Sequence, residues 1–196
     1  MTSREIPRML HIDSITGLVR EARQAPSPNC DDRPEGCKPD LIVIHSISLP
    51  PGEFGGPWID ELFANSLDPS AHPYFRTITG LRVSSHLLIR RDGELVQYVP
   101  LIKRAWHAGD SCFENRNQCN DFSIGIELEG MDTVAYTDEQ YDVLCAAIAA
   151  IRAAVASLKS APIVGHCDIA PERKTDPGPT FDWQRFQAQL AKTSLA

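Results

Sequence analysis

A mixed α/β domain is what this sequence predicts, and three features predict it. Short apolar runs rich in branched residues alternate with stretches of helical periodicity. One antiparallel hairpin stands out, two strand-like runs joined by Asp92-Gly93. The 196 residues suit a single domain with a core large enough to stand alone.

The elements read as follows. From Asp13 to Arg23, Ile15, Leu18, Val19 and Ala22 recur at helical spacing behind a capping-type aspartate, which predicts a first helix. A proline-dense connection, APSPNCDDRPEGCKPD, follows, and then LIVIH (41–45) reads as a buried strand. The next stretch, SISLPPGEFGGPWIDELFANSLDPSAHPYF, is a long loop with one short helical piece at Trp58–Ala64. Loops of that length inside a compact domain are usually functional. Ser85–Arg90 and Glu94–Pro100 form the hairpin. FSIGIELEG (122–130) is a strand with Ile124, Ile126 and Leu128 on one face and Gly125, Glu127 and Glu129 on the other. Thr137-Asp138-Glu139-Gln140 is a capping box that opens a helix reaching Leu158. PIVGH (162–166) is a short buried strand, and a last helix at Trp183–Ala191 is capped by Asp182.

Composition narrows the function. The chain is 42% hydrophobic and 23% charged, with a formal net charge of -7 and no basic cluster longer than Arg90-Arg91. A nucleic-acid or anionic-membrane partner needs a positive footprint, so neither is expected. The start of the chain lacks the apolar core of a signal peptide, and no stretch is apolar enough to span a bilayer. A cytoplasmic protein is therefore expected, with its six cysteines as free thiols. The oligomeric state is left open, with a monomer favoured. Phosphate-loop, dinucleotide, nucleophile-elbow and His-Glu-x-x-His motifs are all absent.

What remains is a pattern of histidines and carboxylates. His45 ends LIVIH, His166 ends PIVGH, and Asp176 follows in KTDPGP. Two histidines at strand exits plus one aspartate would supply three zinc ligands and leave a fourth position open. Hydrogen-bonded histidines with no metal would look the same. Glu127 lies mid-strand and is placed for general-base work if it sits in a cleft, but Glu129 shares its face and the pattern does not choose between them. An edge strand with a solvated acidic face is the plain alternative. Lys174 could reach the same cleft or be solvated. His72, His86 and His107 are further candidates, and Trp106 could stack on a sugar or anchor its loop.

HSISLPPGEFGGPWID, AHPYF, LRVSSHLLIRRDGELVQYVP, KRAWHAG, CNDFSIGIELEG, YTDEQY and GHCDIAPERKTDPGP together resemble the zinc-dependent N-acetylmuramoyl-L-alanine amidase family. Phage T7 lysozyme-type amidases and peptidoglycan recognition proteins share that superfamily. The resemblance runs from about Leu18 to Phe186 and leaves residues 1–12 outside as an N-terminal extension. It implies one amidase domain over residues 1–196, with a mixed central β-sheet flanked by helices. It further implies cleavage of the amide between the lactyl group of 1,6-anhydro-N-acetylmuramic acid and L-alanine, in cytosolic recycling of wall fragments, with an influence on β-lactamase induction.

By the same resemblance, His45, His166 and Asp176 hold Zn2+, Glu127 is the catalytic carboxylate and Lys174 assists at the scissile carbonyl. Tyr74, Arg82, Trp106 and Ala170 match positions that line the sugar and peptide site. The implied substrate is a small anhydro-muropeptide. Two positions depart from the family pattern: Ser46 stands where asparagine is common, and Gln118 where arginine is, which shifts carboxylate binding toward Arg82 and Arg116. A non-catalytic module that binds peptidoglycan fragments on the same fold is the alternative, and it would be expected to lack a ligand.

Overall fold

The computed structural model describes residues 9–193. Residues 1–8 of the N-terminal extension lie outside the described residues. Its remaining residues are tied down: Leu10 is buried in the core, Ile12 bridges Val19, and the His11 ring meets Glu21.

Ten strands and five α-helices follow one another in chain order among the described residues. Strands β1 (Arg23–Gln24) and β2 (Cys30–Asp31) precede β3 (Leu41–Ile47), the LIVIH run extended by two residues. Helices α1 (Trp58–Phe63) and α2 (Pro73–Thr77) lie in the long loop. The hairpin is β4 (Leu87–Ile89) and β5 (Leu95–Gln97), with Gly93 at φ +82° in the turn. Short strands β6 (Arg104–Ala105), β7 (Cys112–Phe113) and β8 (Arg116–Asn117) lead to β9 (Ser123–Glu129). Then come α3 (Asp138–Ala154), β10 (Ile163–Gly165), the single turn α4 (His166–Ile169) and α5 (Trp183–Thr193).

Six strands form one sheet in the order β1-β5-β4-β9-β3-β10. All neighbours are parallel except β4 and β5, so the sheet is mixed, as expected. Parallel strands need both faces covered, and both are. Ile42, Ile44, Ile124, Ile126 and Leu128 pack with α3 and α5 through Leu144, Ile148, Ile151 and Phe186. The opposite face carries Leu88 and Val96 against α1 and α2, and Leu41 and Val43 against Phe122 and Ile169. β9 is therefore central and every residue of it is buried, which removes the solvated edge-strand reading of Glu127 and Glu129.

The capping box at Thr137 forms as expected, and Gln140 does more than close it. Its Nε2 donates to the carbonyls of Ile89 and Glu129, so one buried amide ties α3 to two strand ends. Asp182 accepts from Arg185 N at the start of α5. The helix expected over 13–23 is not there. Asp13 Oδ1 accepts from Ile15 N and Thr16 N, Gly17 takes φ +71°, and Ile12 pairs with Val19, so the segment is a turn. An aspartate that can cap a helix can equally close a local turn. Ile15, read as part of an apolar stripe, is 85% exposed. Helix α2, absent from the sequence reading, is opened by His72, whose Nδ1 accepts from Tyr74 N, with Pro73 in the first turn. None of the described helices is long and apolar enough to cross a membrane.

Behind the sheet face that carries Leu88, His86 is fully buried, accepts from Gly125 N at Nδ1 and bonds the Lys103 carbonyl at Nε2. Burial, and then the adjacent Arg33 guanidinium, push its pKa down to about 3. The unfolded chain binds that proton near pH 6.5, so stability falls as pH drops from about 6.5 toward 3. His86→Asn keeps an acceptor for Gly125 and removes the titration. Its unfolding free energy, measured by denaturant titration in chelator between pH 7 and 4, should fall less steeply than wild type. The difference in slope should reach about 1.4 kcal/mol per pH unit.

Candidate active site

Strand register puts the first two functional side chains together. In the β3–β9 ladder His45 is level with Glu127, and Leu88 of β4 is level with Glu127 on the other side, so all three share one face of the sheet. β10 pairs Gly165 with Ile44, and His166 follows it directly, next to His45. Asp176 is drawn in by the backbone: its carbonyl accepts from Cys167 N, which joins the 170s loop to α4.

The resulting cluster is tight. His45 Nδ1 lies 2.9 Å from His166 Nδ1 and 3.3 Å from Asp176 Oδ2, and His166 Nδ1 lies 3.1 Å from the same oxygen. Zinc bonds of about 2.0–2.1 Å in tetrahedral geometry imply ligand atoms about 3.3 Å apart. His166 Nε2 bonds the Ala108 carbonyl, which can only accept, so Nε2 carries a proton and Nδ1 is the ring nitrogen left to face the cluster. His45 and His166 are buried and Asp176 is partly so. Burial lowers the His45 pKa to about 4, which keeps it neutral and able to ligate. Two imidazole nitrogens and a carboxylate oxygen facing one point fit a zinc ion by donor type and by spacing.

Glu127 and Glu129 are separated by their partners. Glu129 is 1% exposed and its oxygens receive Gly55 N at 2.6 Å, Arg91 N at 3.1 Å and the Arg90 guanidinium at 3.3 Å. It anchors the 55–57 loop and the hairpin turn to the sheet. Glu127 Oε2 is buried and has no hydrogen-bond partner among the described residues. Burial, and then the nearby Asp176 charge, push its pKa well above the usual carboxylate range against the pull of Lys174.

Both lie off a cleft or on it accordingly. His45, His166, Asp176, Glu127 and Lys174 line a cleft of about 490 Å³. Tyr74, Arg82 and Trp106 line the same cleft. The Trp106 indole N–H is buried and, like Glu127 Oε2, has no partner among the described residues. Ala170 is not a lining residue. It is the turn after α4, and its carbonyl accepts from Arg173 N and Lys174 N, which sends both cations back toward the cleft. Arg116 also lies elsewhere, paired with Asp40 and stacked over Phe122. His72 caps α2, and His107 sits directly behind His45. Sequence reasoning missed Arg173, which lines the cleft and donates to the carbonyls of Ala108 and Asp110 at 2.7 Å each. It missed Asn120 as well, whose side-chain oxygen receives His107 N and Ala108 N. Neither belongs to a motif that periodicity or ligand spacing would single out.

The partners predict opposite responses to removal of charge. Glu129→Gln should cost about 1–3 kcal/mol of stability, because three donors lose a charged acceptor. Glu127→Gln removes no bonded partner and relieves a charge buried beside Asp176, so stability should hold or rise. Denaturant unfolding of both variants in metal-free buffer checks this.

Comparison with known proteins gives the same setting. The N-acetylmuramoyl-L-alanine amidase family model (Amidase_2) matches residues 35–179. The 1,6-anhydro-N-acetylmuramyl-L-alanine amidase AmpD of Citrobacter freundii is 61% identical over 178 residues, 91% of this chain and 95% of its own. A crystal structure of a selenomethionine AmpD derivative superposes with a TM-score of 0.87 at 61% identity, covering 91% of this chain and 98% of the other. The amidase AmiD from E. coli, in complex with anhydro-N-acetylmuramic acid-L-Ala-D-gamma-Glu-L-Lys, has a TM-score of 0.55 at 29% identity, covering 92% of this chain and 65% of the other. The chain belongs to the N-acetylmuramoyl-L-alanine amidase family.

Proposed function

We propose that this chain is a zinc-dependent amidase that hydrolyses the amide between the lactyl group of 1,6-anhydro-N-acetylmuramic acid and the L-alanine of its stem peptide. A single amidase domain carries the activity, with residues 1–12 outside the region of family resemblance. One observation carries the reading. A His45–His166–Asp176 cluster opens into the same cleft as a buried carboxyl oxygen, Glu127 Oε2, that no described residue satisfies. Unsatisfied buried polar atoms are costly, and one at a cleft wall is a group kept for a reactant.

His45, His166 and Asp176 would hold the zinc, which when bound polarises a carbonyl and brings the pKa of water toward neutrality. Glu127, its pKa raised by burial, takes a proton from the attacking water and gives it to the leaving alanine nitrogen as the C–N bond breaks. Lys174 places a cation on the same cleft for the oxygen that gains charge at the scissile carbonyl. Trp106 and Tyr74 offer flat faces to the sugar, and the unpartnered Trp106 N–H offers it a donor. Arg82 and Arg173 supply cations for the carboxylates of the stem peptide, the duty first assigned to Arg82 and Arg116. The substrate is a small muropeptide, like the one in the AmiD complex. The cytoplasm is the proposed compartment, consistent with six unbridged cysteines.

Two measurements test the proposal. Purified protein should contain about one zinc per chain and lose most of it on His166→Ala, whereas full occupancy in that variant would remove His166 from the ligand set. Anhydro-muropeptide should be split into anhydro-muramic acid derivative and free peptide, identified by mass. Glu127→Gln should keep its zinc yet lose roughly 10²–10⁴-fold in kcat, with Glu129→Gln much milder once corrected for folded fraction.

A further inference from the structure

Behind the three ligand atoms runs a line of hydrogen bonds that ends on a backbone carbonyl. His45 Nε2 lies 2.8 Å from His107 Nδ1, His107 Nε2 lies 3.0 Å from Ser123 Oγ, and Ser123 Oγ lies 2.5 Å from the Cys119 carbonyl. His45, His107 and Ser123 are all buried, so water does not interrupt the line. A carbonyl only accepts, so the Ser123 hydroxyl proton is committed to Cys119. Ser123 Oγ must then accept from His107, which carries its proton on Nε2 and turns a bare Nδ1 toward His45. His45 in turn donates from Nε2. The consequence is a bare His45 Nδ1 facing His166 Nδ1 and Asp176 Oδ2. The reverse order would place a proton in the middle of that cluster and take Ser123 away from Cys119.

We infer that His107 is a positioning residue: backed by Ser123, it fixes the tautomer and ring orientation of His45 so that Nδ1 is presented to a metal ion. The inference rests on His45, His166 and Asp176 being the zinc ligands. The surroundings are built for it. A Cβ at Gly125 of β9 would stand 2.5 Å from the His107 ring, so only glycine leaves room for that imidazole against the strand. Asn120 Oδ1 holds His107 N and Ala108 N at 3.0 and 2.8 Å. Arg33 donates to the carbonyls of Asn120, Asp121 and Ser123, which fixes the segment that supplies both partners. Two consecutive residues thus orient both histidines, His107 through its ring and Ala108 through the carbonyl that accepts from His166. Partners of this kind set metal affinity as well as geometry.

Zinc affinity of the metal-free protein, measured by competition with a chromogenic chelator, tests the relay in wild type, His107→Phe, His107→Asn and Ser123→Ala. His107→Phe and Ser123→Ala should bind zinc roughly 10–100-fold more weakly than wild type. His107→Asn, whose side-chain oxygen can accept from His45, should bind tighter than His107→Phe. Ser123→Ala removes a single oxygen, so it keeps the test informative if His107→Phe does not fold. Nitrogen NMR of the metal-free protein gives a second readout: His45 should be protonated at Nε2 in wild type and mixed in Ser123→Ala. Equal zinc affinity in wild type and Ser123→Ala, or a His45 protonated at Nδ1 in wild type, would overturn the relay alone. A wild-type protein that takes up no zinc would instead overturn the ligand assignment, and the relay with it.

Discussion

Parallel pairing of β3 with β9 is the constraint on which the site depends. It sets His45 level with Glu127 across seven paired positions, from Leu41 with Ser123 to Ile47 with Glu129. A slip of one residue would turn His45 toward α3 and bring Ile44 or Ser46 to the cleft face. Such a slip is resisted along the ladder, because Ile42 and Ile44 would leave the core in the same step while Ile124 and Ile126 lose the neighbours they pack beside. The apolar face therefore fixes the polar one. β10 extends the same logic, since its own pairing with β3 delivers His166 beside His45.

What the sequence made legible follows from where periodicity is strong. LIVIH, SIGIELEG and the helix after Thr137 repeat their apolar residues often enough that only one element type fits, and each forms. The stretch 13–23 has too few repeats to separate a helix from a turn, and Asp13 with Gly17 decided for the turn. Helix α2 has a single buried residue, Phe75, so it left no stripe to read. At the site, His45, His166, Asp176, Glu127, Lys174, Tyr74, Arg82 and Trp106 do gather around one cleft. Ala170 does not reach it and acts through its carbonyl, a role no side-chain pattern can reveal. The choice between Glu127 and Glu129 was closed to pattern for a related reason. It turns on which donors surround each carboxylate, and those come from Gly55, Arg90 and Arg91 far along the chain.

Burial at this site works in two directions at once. It keeps His45 neutral and so able to ligate, and it raises the Glu127 pKa, which makes its carboxylate a stronger acceptor for a proton from water. The same burial leaves an oxygen of Glu127 and the Trp106 N–H without partners among the described residues, which costs stability until a ligand supplies them. Glu129, two residues away and also buried, shows what full satisfaction looks like on the same strand: it holds a loop in place and is not among the residues that line the cleft of Glu127.

Net charge is a poor guide to what the cleft accepts. The whole chain carries -7, which suggests repulsion of anions, yet Arg82, Arg173 and Lys174 line the cleft. Those cations suit the carboxylates of a stem peptide, and they would also attract a diphosphate on the anomeric carbon of an unrecycled precursor. Discrimination between the two therefore cannot come from the overall charge. It has to come from shape where the sugar is bound, which the proposed site puts beside Trp106 and Tyr74. A rigid bicyclic anhydro ring and an open anomeric centre bearing a nucleotide differ most in volume at that position. A wall that fits the first closely excludes the second by overlap rather than by field. Specificity on this reading belongs to the aromatic wall, and the cations contribute affinity that both kinds of molecule would share.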